Sequence, residues 1–156
     1  MKKAAFYTVI LCLSALFYTS CKEDEYMDWK LLNDRWYLSM EDSLKKVPNF
    51  YKTSTGLYYK VIYQGNDRRP NDQDKVKINI TGKLVDGSVL QQPVNEIFSM
   101  SQLVSGVREG IRKMQHGGHY ILYLPSDLGY KDSKNNPTIP PYSVLKFDIT
   151  LLDSGY

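Results

Sequence analysis

The feature that most constrains this chain is a change of hydrophobic period part-way along it. Val76, Ile78 and Ile80 alternate with Lys75, Lys77 and Asn79. Such alternation turns one set of side chains to a core and the other to water, as in a half-buried antiparallel strand. Asp86-Gly87 then supplies a hairpin turn, with Val89 and Leu90 returning on the partner strand. Residues 57–63, aromatic and β-branched and closed by Gly65, read as a further strand. Residues 119–124 and 143–152 complete the sheet.

Nearer the start the apolar steps are three and four residues. Trp29, Leu32, Trp36, Met40 and Leu44 share one face of a helix predicted over 28–44, with Leu31 and Leu38 on the opposite face. Asp28 is its candidate N-cap, Lys45 and Lys46 suit its C-terminus, and Pro48 disfavours helical geometry just before it. Two tryptophans on one stripe need a surface to cover. Either the helix packs against its own domain, or it is a dimerisation or partner-binding helix. A second helix is predicted over 101–114, capped by Ser99 or Ser101, with Leu103, Val104, Val107, Ile111 and Met114 on its buried stripe and Gly117-Gly118 ending it. The pattern as a whole predicts an α+β domain, with an antiparallel sheet of about five strands, one helix laid across it and an extra N-terminal helix.

Lys2 and Lys3 precede an apolar run over 4–17, too short for a comfortable bilayer span. With Thr19 and Ser20 directly before Cys21, it reads as a secretory signal and resembles the lipobox of bacterial lipoproteins, which makes Cys21 the lipidated first residue. The alternative is an ordinary signal peptide with Cys21 as a stray thiol. The only other cysteine, Cys12, lies inside the apolar run, so the mature chain would hold no disulfide. Lys22-Glu23-Asp24-Glu25 resembles the surface-export signal of Bacteroidota lipoproteins. It also reads as a solvated charge run that keeps a tether away from an anionic membrane. The expected division is a signal peptide over 1–20, an acidic tether and amphipathic helix over 21–52, and a folded domain over 53–156. The expected location is the cell envelope, as an outer-membrane lipoprotein with its surface exposure open.

Removing Lys2 and Lys3 from the 20 Lys+Arg leaves 18 against 17 Asp+Glu. A nearly neutral chain gives no support to nucleic-acid binding. The thirteen tyrosines suit both strand packing and contact surfaces. His116 and His119 flank the glycine pair without a neighbouring Asp, Glu or Cys in sequence, so no metal is expected. No phosphate loop or nucleophile elbow occurs, and no cofactor is expected. Gly106 and Gly110 have a small-xxx-small spacing, but on a charged helix it says nothing about membranes.

From Met114 to Leu152 the chain reads MQHGGHYILYLPSDLGYKDSKNNPTIPPYSVLKFDITLL. The M-x-x-G turn, the strand into PSDLGY, the polar loop and the IPP-x-S-x-L-x-F-D-I ending together resemble the FKBP-type peptidyl-prolyl cis-trans isomerases, back to about Gly56. The resemblance implies an apolar pocket for a proline ring, lined by Tyr130, Ile139 and Phe147, and proline-containing polypeptides as partners. It places Val104 and Tyr130 as donors, through backbone N–H and hydroxyl, to two carbonyls of a bound peptide. The family's V-x-Y-T-G strand corresponds to Ile78 to Gly82, so Ile80 replaces the pocket tyrosine. Its D-G-x-x-F-D hairpin puts Leu90 for phenylalanine and Gln91 for aspartate. Its F-x-L-x-Q-V-I-x-G-W segment keeps Phe98, supplies Leu103 and Val104, and puts Val107 for the tryptophan floor. The donors are retained while the walls have become aliphatic. Two readings follow: an envelope foldase, or a binding module that grips a proline-bearing loop as an accessory subunit of an outer-membrane complex. A homodimer contact or a membrane-complex partner is open in either.

Overall fold

The computed structural model describes residues 26–66 and 68–155, without the side chains of Gln91 and Pro93. The signal segment, Cys21 and the acidic run lie outside the described residues. The alternating stretch becomes strand β3 (Lys75–Leu84), which buries Val76, Ile78, Ile80 and Leu84 and turns Lys75, Asn79 and Lys83 to solvent. Gly87 N–H donates to the Leu84 carbonyl and Leu84 N–H donates to the Ser88 carbonyl, closing a hairpin into β4 (Val89–Ser99). β1 (Phe50–Lys52), β2 (Tyr58–Tyr63), β5 (His119–Leu124) and β6 (Leu145–Ser154) complete an antiparallel sheet in the order β1-β2-β5-β6-β3-β4. The short edge strand β1 brings the described strands to six, where about five were expected.

Helix α1 (Met27–Lys46) and helix α2 (Ser105–Ile111) lie on opposite faces of this sheet. On β5, Leu122 and Leu124 are fully buried beneath α2, while Tyr123 turns to the other face and meets Trp36 at a ring separation of 5.7 Å. Tyr58, the register partner of Tyr123, packs edge-on against Tyr37 of α1. The core between α2 and the sheet is aliphatic: Ile78, Ile80, Ile149 and Leu151 close on Val107, Ile111 and Met114. Each such side chain contributes about 1.5–3 kcal/mol on full burial.

Three expectations are corrected. The second helix does not run over 101–114. A 3₁₀ turn at Met100–Gln102 is followed by extended Leu103 (φ −85, ψ 145) and Val104 (φ −59, ψ 152) before α2 begins at Ser105. The Gln102 side chain accepts the Ser99 N–H at 3.0 Å and closes the turn too early for one continuous helix. The last strand begins at Leu145 rather than 143, because Ser143 and Val144 are hydrogen-bonded to α1. Asp28 lies in the first turn of α1 rather than at the N-cap, which is Tyr26.

The α1 stripe is also rotated from the expected one. Leu32 is 48% exposed while its neighbour Asn33 is fully buried, a shift of about 100° around the helix. The surface beneath this point is backbone, and it selects a hydrogen-bonding residue. Asn33 Nδ2 donates to the Trp29 carbonyl, and its Oδ1 accepts the Val144 N–H at 2.7 Å. Trp29 Nε1 donates to Ser143 Oγ at 2.9 Å, and Tyr37 donates to the Gly56 carbonyl. Leu31 and Leu38 are exposed, as expected of the opposite face. Of the two readings of the tryptophan stripe, the helix packs on its own domain. Among the described residues no helix is long and apolar enough to cross a membrane.

Replacing Asn33→Ala strands the Val144 N–H without a partner. The expected cost is about 1–3 kcal/mol by urea denaturation, against less than about 0.5 kcal/mol for Leu38→Ser on the exposed face.

Candidate functional site

The break between the 3₁₀ turn and α2 builds a cavity. Leu103 and Val104, in extended geometry, carry the chain from β4 onto the sheet, and Val104 becomes the N-cap of α2, its carbonyl accepting the Arg108 N–H at 3.0 Å. Ser105 Oγ donates to the Leu128 carbonyl and ties this start to the segment after β5. That segment is a tight turn: Gly129 and Lys131 N–H both donate to the Ser126 carbonyl, fixing Tyr130 between them. Tyr130 is 40% exposed.

Ile80, Phe98, Gln102, Leu103, Val104, Val107, Tyr130 and Phe147 enclose about 150 Å³. Seven of these carry the sequence expectation, and the fold brings them together from β3, β4, α2, the Tyr130 turn and β6. Gln102 was not anticipated as a lining residue, although the Ser99-x-x-Gln102 spacing, the mark of a capping box, could have found it. Ile139 is 5% exposed, packed in the same core cluster as Ile80, Val107 and Phe147, and is not among the residues that line the cavity. Leu90 is half-buried beside Gly82 and likewise does not line the cavity, while the side chain of Gln91 lies outside the description.

No lining side chain is charged, and none is a nucleophile or general base at neutral pH. The arrangement can hold an apolar ring against Phe147 and Val107, with the Tyr130 phenol in the lining. It cannot form a covalent intermediate with a side-chain thiolate, amine or carboxylate. The two histidines are elsewhere and do have partners that sequence proximity hid: His119 meets Asp148 at 2.7 Å, and His116 meets Ser154 at 2.7 Å with Asp153 at 3.9 Å. Among the described residues no group of three or more His, Cys, Asp or Glu is placed to hold a metal ion.

Residues 66–152 match the sequence profile of the FKBP-type peptidyl-prolyl cis-trans isomerases. The chain belongs to that family. It is 34% identical over 109 residues to a probable FKBP-type isomerase FkpA of Neisseria meningitidis, covering 66% of this chain and 39% of the relative. It is 32% identical over 118 residues to the FKBP-type 22 kDa isomerase of Escherichia coli, covering 73% and 57%. The chain thus spans about two fifths to three fifths of these relatives' length. Among solved structures, FkpA from Escherichia coli superposes with a TM-score of 0.75 at 28% identity, over 96% of this chain and 71% of that one. An isomerase from Pseudomonas syringae shares the fold, with a TM-score of 0.71 at 23% identity.

In this FKBP-type fold the width of the cavity depends on how closely α2 approaches the sheet. A Cβ at Gly110 would overlap the Leu122 side chain, and one at Gly106 would sit 2.5 Å from Leu124 Cγ. The small-xxx-small spacing is therefore a helix-to-sheet contact. Gly110→Ala is expected to lift α2 and cost about 1–3 kcal/mol in chemical denaturation, with the Val107 and Phe147 NMR signals shifting together as the cavity changes shape.

Proposed function

We propose that this chain is a lipid-anchored peptidyl-prolyl cis-trans isomerase of the cell envelope, acting on proline-containing segments of exported polypeptides. Family membership supports the reaction class. For this chain the reading is carried by the uncharged cavity that gathers Val104 at the start of α2, Tyr130 on its turn and Phe147 of the sheet. Rotation about an Xaa-Pro bond faces a barrier of roughly 18–20 kcal/mol because it breaks amide resonance, while the two isomers differ by only about 0.5–1 kcal/mol. Catalysis then needs a site that favours the twisted, less delocalised amide over the planar one. The Val104 N–H and Tyr130 hydroxyl donate to peptide carbonyls. Ile80, Phe98, Leu103, Val107 and Phe147 exclude water around the proline ring, and Leu90 and Ile139 support these walls.

In the same reading, residues 1–20 direct export and Cys21 carries lipid at the outer membrane. Residues 21–52 supply the tether and α1, and 53–156 form the isomerase domain, with the acidic run favouring surface display. A second reading, a peptide-binding module with weak or no turnover that serves an outer-membrane complex, is favoured by one observation: Ile80 and Val107 stand in the cavity wall where the family's motifs carry aromatic rings.

Exchange NMR on a panel of Xaa-Pro peptides with the full chain in detergent separates the two. Accelerated exchange is expected. Tyr130→Phe should reduce it about tenfold, the loss of one hydrogen bond of about 1–1.5 kcal/mol, and Val104→Pro should abolish it. Peptide binding without acceleration would leave the binding module. Independently, Cys21→Ser should move the protein from the membrane to the soluble fraction. Retention on the membrane would remove the lipid anchor from the proposal.

A further inference from the structure

A second, larger cavity lies on the same face of the sheet. Phe147, Leu122, Tyr59 and Tyr51 are successive register partners on β6, β5, β2 and β1. They therefore form one cross-strand row, with α2 seated on Leu122. At about 4.8 Å per strand, Tyr51 stands roughly 14 Å from Phe147 of the first cavity. Around this far end Tyr51, Tyr59, Tyr120, Arg69 and Lys113 enclose about 530 Å³.

The lining is specific in chemistry. Tyr51 and Tyr59 stack at 5.2 Å and Tyr59 and Tyr120 at 5.8 Å, a ladder of three rings, with Lys113 Nζ over the Tyr59 ring at 5.8 Å. Tyr120 is buried and spent, its hydroxyl donating to Gln64 and the Lys113 carbonyl, but Tyr51 is 46% exposed and ends the ladder openly. Among the described residues no carboxylate lines the cavity, and neither Arg69 nor Lys113 forms a salt bridge. The nearby Glu109 accepts a hydrogen bond from Thr55. Burial pushes the Tyr59 and Tyr120 phenols up, against the opposing pull of Arg69, so both remain neutral at physiological pH.

The rim is also a sheet edge. Val61 N–H donates to Asn49 O and Thr53 N–H to Leu57 O, so Tyr51 pairs inward with Tyr59. The peptide groups of Phe50 and Lys52 then point to the free side of β1. A polypeptide can use such groups, whereas a glycan has no matching main chain.

We propose that this groove is a second polypeptide subsite, which takes an extended acidic segment bearing an aromatic residue. The carboxylates meet Arg69 and Lys113, the ring stacks on Tyr51, and the main chain runs beside β1. As a client subsite it rests on the isomerase reading, because a chain with its proline over Phe147 reaches this groove within several extended residues.

The probe is a fluorescein-labelled, proline-free peptide of alternating Glu and Tyr, titrated by anisotropy against the full chain in detergent. Binding is expected to weaken at least about tenfold in Arg69→Glu/Lys113→Glu and to fall in Tyr51→Ala. It should be unchanged in Tyr130→Phe, and a Lys/Tyr peptide should not bind. Melting curves of the variants show that the fold is kept. Absent binding, or binding indifferent to the charge reversal, overturns the proposal. So does polygalacturonate occupying the groove with the same variant profile while the peptide does not bind. Peptide binding on a chain that fails to accelerate Xaa-Pro exchange keeps the subsite and removes the isomerase reading. Acceleration without peptide binding does the reverse.

Discussion

The close approach of α2 to the sheet is the contact on which the rest of the molecule depends. A helix of seven residues cannot hold itself together in water, so its place is set by what it touches. Gly106 and Gly110 let its backbone settle onto Leu124 and Leu122, where any side chain would collide. From that one contact follow the Val104 amide at the helix start, the burial of Val107 and Ile111, and the position of Lys113 just past the helix end. Because the helix covers only the middle of the cross-strand row, both ends of that sheet face stay open, one toward Phe147 and one toward Tyr51.

Helix α1 is held by another kind of force. Its sheet contacts are ring edges at Trp36 and Tyr37, and its inner contacts are hydrogen bonds to the segment before β6. Ser143 passes the connection on, donating to the Pro140 carbonyl while accepting from Trp29. The residues joined in this way close the long loop that opens at Tyr130, and Tyr142 N–H donates back to the Lys131 carbonyl at its neck. Hydrogen bonds buried from water are strong when complete and costly when broken. The helix thereby fixes the far end of the loop whose near end carries Tyr130.

Much of this was legible in the sequence where the governing force is periodic burial. Val76, Ile78 and Ile80 could belong only to a half-buried strand, and the cavity residues from Ile80 to Phe147 were recoverable because the motifs around them preserve their spacing. What escaped was decided by individual hydrogen bonds. Nothing in the apolar stripe of α1 marks Asn33 as its most buried residue, since the partner, the Val144 amide, lies more than a hundred positions away. The single helix expected over 101–114 had an unbroken apolar stripe, and one side-chain cap from Gln102 divided it. Ile139, assigned to the pocket by motif position, is buried in the same cluster as the lining residues Ile80, Val107 and Phe147. The tyrosine ladder was present only as a high tyrosine count until strand pairing put Tyr51, Tyr59 and Tyr120 side by side.

The aliphatic walls bear differently on binding and on turnover. A tryptophan ring buries roughly 150–250 Å², and Val107 offers much less, so an unstrained proline segment should bind this cavity weakly. Contact that is equal for the planar and the twisted amide does not raise the rate of the bound substrate. The groups with a differential effect are, on the proposed reading, the donors, and the amide among them is fixed by the backbone at the start of α2 rather than by any side chain. On the proposed reading the loss of rings lowers occupancy more than it lowers turnover, and a catalyst with low occupancy gains from holding its client elsewhere. A groove more than three times the volume, on the same sheet face and a short extended stretch away, is placed to supply that hold.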